Sequence, residues 1–334
     1  MRTETKKKII GDKRHKLLIG SCGGLTGVYL AKCFRKLGGF DIWGSDANET
    51  SVGKFFVDKM VCLPKSDQTD FIDRLLRTFH DEQIDFYIPT HSTEMYAVAK
   101  NEQYIREKSD VQFIISPIET YDALTDKEIA YSNLKRIEVP TPKIYRRCED
   151  VPNGNYVFYK KKIGSGSVDC GVLKNMDEIS TVMNVRKEDY LFCEYIEGDT
   201  YTVDCLFSED GELLGYNQRM RDKCIGGAVS ITTNSNLINI LPYLEKIAKY
   251  WKMKGTVNFQ YILNNGYPYF IDVNLRYASG GLPLSVASGV NVPLAMKKMF
   301  LGEKIYKNEF MSDFSDRRMY RYYEEIIDEN PIRF

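Results

Sequence analysis

The first third of the chain alternates short apolar runs with segments whose apolar positions recur at helical spacing. Residues 16–20 (KLLIG) predict a strand, the glycine-rich turn GSCGGLTG follows, and Val28 to Leu37 predicts a helix. FDIWGSD (40–46) predicts a second strand, DQTDFIDRLLRTFHDE (67–82) an amphipathic helix and IDFYIPT (84–90) a third strand. TEMYAVAKNEQYIRE (93–107) predicts a helix and VQFIIS (111–116) a further strand, closing a domain near residue 117. Strands and helices alternating at this spacing form a parallel sheet covered by helices.

The rhythm then changes. YDALTDKEIAYSNLKRI (121–137) is helical, and the two prolines of EVPTPKIY end it. NYVFYKKK (155–162) reads as strand, IGSGSVDCG as loop and MDEISTVMN as a short helix. YLFCEYI, then YTVDCLFSEDGELLGYNQRMR with its Asp-Gly turn, read as strands. LINILPYLEKIAKYW is a helix, and GTVNFQYILNNGYPYFIDVNLR is a hairpin around Asn265-Gly266. Hairpin connections make this half α+β and largely antiparallel, so the fold class is α/β plus α+β.

The stretch YFIDVNLRYASGG (269–281) places Asp272, Asn274 and Arg276 at every second position, on one face of a strand, with Ile271, Val273 and Leu275 on the other, toward a core. Two oxygen ligands two residues apart suit Mg²⁺, which keeps phosphate oxygens and waters as its remaining ligands. Gln260 on the partner strand supplies a third oxygen. It shares a face with Asp272 only if the hairpin has a three-residue loop or a bulge, because a two-residue turn puts the two on opposite faces. YVFYKKKIGSGSVDCGV ends a strand in three lysines before a Gly/Ser loop, a pattern that brings backbone amides and positive charge to phosphate, or else is a solvated basic turn. LFCEYIEGDTYTVD can present backbone groups to an adenine edge and acids to a ribose, or is an ordinary strand-turn-strand. The turn Cys22-Gly23-Gly24-Leu25-Thr26-Gly27, with Asp46 after the second strand, is an imperfect dinucleotide fingerprint with cysteine at its first glycine; an ordinary strand-to-helix turn accounts for it better.

Composition narrows the classes. The 334 residues are 43% hydrophobic and 28% charged, as in a globular chain of two or three domains. Lys+Arg and Asp+Glu are equal at 46 each, which favours neither nucleic acid nor an anionic membrane. No apolar run is long enough to span a bilayer, and the basic start lacks a signal-peptide core. Eight scattered cysteines without a CxxC pair read as reduced, mostly buried thiols in a cytoplasmic protein, and three histidines make a histidine zinc site improbable.

The order of these segments, Asp126-Lys127, Lys160 with GSGS, Glu194-Tyr195-Ile196, Arg219/Arg221, NFQ and DxNxR, resembles the ATP-grasp superfamily over residues 16–303. The likeness is closest to the branch of carbamoyl-phosphate synthase large-subunit domains and amino-acid ligases. It implies an N-terminal α/β domain (16–117) after a tail (1–15), a lid with its linker helix (118–206) and a C-terminal domain (207–334), with ATP between the last two. It further implies that Lys127, Lys160, Gly164, Ser165, Gly166 and Ser167 bind phosphates, and that Glu194, Tyr195 and Ile196 contact adenine. Asp199, with Glu197 as the alternative, holds the ribose. The metal ligands are Gln260, Asp272 and Asn274, for Mg²⁺ or Mn²⁺; Asp272 stands where glutamate is usual, and Lys161 where proline is. Arg276, Lys160, Arg219 and Arg221 are the implied catalytic cations. GGAVSITTNSN and YASGGLPLSVASGVNVP resemble the acceptor side. The implied reaction joins a small-molecule carboxylate to an amine through an acylphosphate. Carboxyphosphate or carbamoyl phosphate chemistry and a nucleotide sensor without turnover are the alternatives, and a homodimer is left open.

Overall fold

The computed structural model describes residues 14–329 apart from 165, 167, 187 and 307. Ser165, Ser167 and the tail before residue 14 therefore lie outside the described residues. The tail assigned to 1–15 overlaps the first strand, which starts at His15. The N-terminal elements are β1 (His15–Ile19), α1 (Leu25–Leu37), β2 (Phe40–Asp46), a 3₁₀ turn (Val52–Phe55), β3 (Lys59–Cys62), α2 (Phe71–Asp81), β4 (Phe86–Ile88), α3 (Ser92–Lys100) and α4 (Glu102–Lys108). Their strands form a parallel sheet in the order β3-β2-β1-β4. Short, mixed-pattern β3 was not legible in the sequence.

Residues 111–116 do not form the strand expected of them. They make one parallel bridge, Phe86 with Gln112. The segment then leaves the sheet, and the Ser116 hydroxyl oxygen accepts the Lys254 amide at 3.0 Å. The helix expected over 93–107 is divided at Asn101, whose side-chain amide donates to the Ala97 carbonyl at 2.8 Å. The helix expected over 121–137 is likewise two, α5 (Ile118–Leu124) and α6 (Lys127–Arg136). Asp126 caps the second by accepting the Glu128 and Ile129 amides at 2.8 and 3.1 Å.

β5 (Val157–Lys161), β6 (Gly171–Leu173), α7 (Met176–Arg186) and β7 (Tyr190–Glu194) make a small antiparallel unit ordered β6-β5-β7. Its own core gathers Tyr145, Val157, Ile179 and Phe192. The remaining elements are β8 (Asp199–Phe207), β9 (Leu213–Ile225), β10 (Ala228–Asn234), α8 (Leu241–Tyr250), β11 (Gly255–Asn264), β12 (Tyr267–Asn274), α9 (Leu282–Ala287), α10 (Val292–Phe300) and β13 (Arg318–Tyr320). Their strands form an antiparallel sheet ordered β12-β11-β8-β9-β10-β13. β8 lies inside this sheet, so the two sheets divide between Glu194 and Asp199 rather than at residue 206.

The N-terminal sheet and the large sheet share one apolar core, and Phe86 of β4 stacks on Phe300 of α10 at 4.8 Å. The edge of β12 is tied to the linker, where the Phe270 amide donates to the Pro140 carbonyl at 2.8 Å. Of the cysteines, Cys22, Cys193 and Cys205 are buried, whereas Cys62 and Cys224 are exposed. No helix among the described residues is long and apolar enough to cross a membrane.

The junction between the sheets depends on Gly198. Its φ is +150°, and a Cβ there would stand 2.2 Å from the Leu263 carbonyl oxygen. We expect Gly198→Ala to lower stability by about 1–3 kcal/mol, the cost of a strained backbone position plus displacement of β11. Urea denaturation followed by circular dichroism measures it, and an unchanged midpoint would contradict this.

Candidate active site

The hairpin β11–β12 turns through Asn265 (φ +49°) and Gly266 (φ +83°), a two-residue turn. Alone, that turn would put Gln260 and Asp272 on opposite faces. The register corrects it: Tyr261 pairs with Phe270, but Gln260 pairs with Asp272, so Ile271 is an extra residue in β12. This bulge is one of the two devices the sequence required. It also turns Ile271 out of the core expected for it, onto the wall of a cavity.

Pairing across four strands builds two polar rows on one sheet face. Arg219, Thr202, Gln260 and Asp272 follow one another across β9, β8, β11 and β12, and Asn217, Asp204, Asn258 and Asn274 form the next row. Directly opposed residues in an antiparallel sheet share a face. The adjacent row, Val203 with Phe259 and Val273, faces the core. Asn258, which the sequence reading did not single out, lines the cavity and donates to the Arg276 carbonyl at 3.0 Å.

A cavity of about 360 Å³ lies over the first row. Lys127, Lys160, Gly164, Gly166, Arg219, Arg221, Gln260, Asp272 and Arg276 all line it. Asn274 does not, but its side-chain amide donates to Asp272 Oδ2 at 3.1 Å. Glu194, Tyr195, Ile196 and Asp199 also stand outside the lining. Glu194 ends β7 with its amide on the Lys143 carbonyl at 2.8 Å, Tyr195 is exposed, and Asp199 opens β8 on the surface.

Lys127, the first residue of α6, is buried and donates from Nζ to the Gly164 carbonyl at 2.8 Å. Its ammonium is 3.9 Å from Asp272 Oδ1. Lys160 reaches from the small sheet to the large one and donates from Nζ to the Ile271 carbonyl at 2.5 Å. Burial lowers the Lys160 pKa, against the raising charge of Asp272. Burial also lowers that of Arg276, which feels Asp272 and, oppositely, Arg221. One carboxylate thus stands among three cations. Arg221 donates to the Gly227 carbonyl at 3.1 Å. His91, at the head of α3, has its pKa lowered by burial and then by Arg276, which brings the N-terminal domain to the same end of the cleft.

Arg219 is differently engaged. It is 2% exposed and grips Asp204 through Nε and Nη2 at 2.8 and 3.2 Å. Its charge is spent within the floor of the cavity. Asp46, the acid of the imperfect dinucleotide fingerprint, is also occupied: it accepts the Gly23 and Asn48 amides and the Ser51 hydroxyl at 2.9–3.0 Å.

Among the described residues no group of three or more His, Cys, Asp or Glu is placed to hold a metal. Gln260, Asp272 and Asn274 offer hard oxygens that fit Mg²⁺ when phosphate oxygens complete the shell.

The family described as ATP-grasp in the biosynthetic pathway with Ter operon matches residues 186–322, and the PylC-like N-terminal domain matches residues 17–114. The matched portion, residues 186–322, belongs to the ATP-grasp superfamily. Over 218 residues it is 24% identical to the carbamoyl phosphate synthase large chain of Lachnoclostridium phytofermentans, covering 59% of this chain and 20% of that relative. The chain thus spans about a fifth of the length of that curated relative. The ATP-grasp architecture is shared with the L-amino acid ligase of Bacillus licheniformis, at TM-score 0.68 and 14% identity over 90% of this chain and 78% of the other. It is shared equally with the biotin carboxylase domain of Hydrogenobacter thermophilus 2-oxoglutarate carboxylase, solved with MgADP and bicarbonate, at TM-score 0.68 and 17% identity over 89% and 72%.

Removing one partner of a buried ion pair leaves the other charge uncompensated, at a cost of about 3–5 kcal/mol. Arg219→Met should lose about that much stability, and Asp204→Leu combined with Arg219→Met should recover most of it. Chemical denaturation of both variants checks this. A stable Arg219→Met chain would mean that the pair is not structural.

Proposed function

We propose that the protein is an ADP-forming carboxylate–amine ligase. The observation that carries this is the register of β11 on β12, which faces Gln260 with Asp272 beneath Lys127, Lys160 and Arg276. A cavity with this surplus of positive charge suits a polyphosphate. In this reading Lys127, Lys160 and the amides of Gly164 and Gly166 bind the triphosphate. Glu194, Tyr195 and Ile196 meet the adenine, and Asp199 or Glu197 the ribose. Gln260, Asp272 and Asn274 would hold Mg²⁺, which would offset negative charge on the phosphates when bound. The MgADP bound to the 2-oxoglutarate carboxylase domain supports this choice of ligand.

A substrate carboxylate oxygen attacks the γ-phosphorus, and the bond to the ADP oxygen breaks. An amine then attacks the acyl carbon of the acylphosphate, inorganic phosphate leaves carrying the proton the amine gives up, and an amide remains. The chain's part is electrostatic: Lys160, Arg221 and Arg276 hold reactants in line and offset the charge spread over the transferring group. Arg219 contributes from beneath by fixing the floor. The carbamoyl phosphate synthase relative favours a second reading, in which bicarbonate replaces the organic carboxylate.

Asp272→Asn keeps shape but removes the one carboxylate of the ligand set. We expect a lower melting temperature without nucleotide, because Lys127, Lys160 and Arg276 lose their shared counter-charge, and loss of most of the further stabilisation by MgATP, which grows as RT ln(1 + [L]/Kd). Melting curves of wild type and variant, with and without MgATP, decide it; equal stabilisation would remove Asp272 from the metal site. ADP release across pairs of carboxylates and amines tests the ligase. Release with bicarbonate alone would favour the second reading, and no release with any pair would defeat both.

A further inference from the structure

Tyr131 plays no part in the reaction as assigned above. It lies on α6 four residues after Lys127, so the two share a helix face. It is 2% exposed, closed in by Leu191, Cys193, Ile144 and Phe158. Two contacts distinguish it from a packing residue. Its hydroxyl donates to the Ile271 carbonyl at 3.1 Å, and the face of its ring lies 5.1 Å from Lys160 Nζ. The Lys160 ammonium donates to the same carbonyl. Lysine, ring and carbonyl therefore form a closed triangle at the bulge.

A lysine ammonium sits on a flexible four-carbon stem with many rotamers. A fixed carbonyl on one side and an aromatic face on the other select one of them. Because the ammonium has three donors, it can keep the carbonyl and still offer hydrogens to phosphate. We propose that Tyr131 is a positioning residue for Lys160, presenting its ammonium to the nucleotide through the aromatic ring and the shared Ile271 carbonyl. This rests on the assignment of Lys160 to the phosphates. The phenol itself touches neither nucleotide nor substrate and undergoes no chemistry.

Calorimetric titration of the full chain with MgATP tests it, using Tyr131→Phe, Tyr131→Leu, Lys160→Ala and the double variant Tyr131→Leu/Lys160→Ala. Tyr131→Phe keeps the ring and loses the hydroxyl, and should raise Kd about threefold to tenfold. Tyr131→Leu loses both contacts and should raise it further, by about tenfold to a hundredfold. In the Lys160→Ala background Tyr131→Leu should add less than about threefold, since its effect passes through the lysine. Equal effects of Tyr131→Leu in both backgrounds would mean a packing role and overturn the proposal while leaving the phosphate assignment intact. An unchanged Kd in Lys160→Ala would defeat that assignment, and this proposal with it. Should Tyr131→Leu be too unstable to titrate, Tyr131→Phe still decides, because an unchanged Kd there removes the hydroxyl link.

Discussion

The carbonyl of Ile271 is the point on which the site depends. A regular ladder would have engaged it in pairing. The bulge leaves it free, and two donors from elsewhere take it: Lys160 from the small sheet and Tyr131 from α6. The same inserted residue shifts the register so that Asp272 faces Gln260. One backbone irregularity therefore connects the lysine of one unit to the carboxylate of another. The cleft walls are joined at the place where a nucleotide's phosphates and metal would meet.

Electrostatics explains why the arrangement needs a ligand. Lys127, Lys160 and Arg276 surround Asp272, and Arg221 adds a further charge that Arg276 feels. Arg219 adds none that is free, because Asp204 holds it. Burial works against the charged forms of Lys160 and Arg276, so gathering these cations in one cleft is unfavourable without a counter-charge. In the proposed reading a triphosphate supplies the compensating negative charge. Beneath the cations Arg219 is bonded to Asp204 and Asn258 to the Arg276 carbonyl, which holds the floor of the cavity in place.

Much of this was legible in the sequence because periodicity and turn chemistry are local. Phe40–Asp46 and the Asn265-Gly266 hairpin followed from apolar alternation and from a dipeptide that accepts positive φ. The shared face of Gln260 and Asp272 was legible as a conditional: one face only if the ladder were interrupted. What could not be read was set by distant partners. Residues 111–116 look like a strand, but contacts with Lys254 draw them off the sheet. Arg219 reads as a cleft cation until Asp204, 15 residues earlier, is seen to hold it. The lid boundary was misplaced because β8 carries no local mark of which sheet it joins. Tyr131 had one local signal, its i+4 spacing from Lys127, but nothing near it in sequence announces Ile271.

Deleting Ile271 tests the central claim most directly. Without it, Phe270 would still pair with Tyr261 and Asp272 would still follow opposite Gln260, so the ligand face survives while the free carbonyl is lost. Calorimetry of MgATP binding to the deletion variant, after its melting curve confirms a cooperative fold, reads the consequence. The account predicts a Kd raised by about tenfold or more, the loss of a charged group's hydrogen-bonded anchor. A deletion variant that folds and binds MgATP as tightly as the wild type would contradict it.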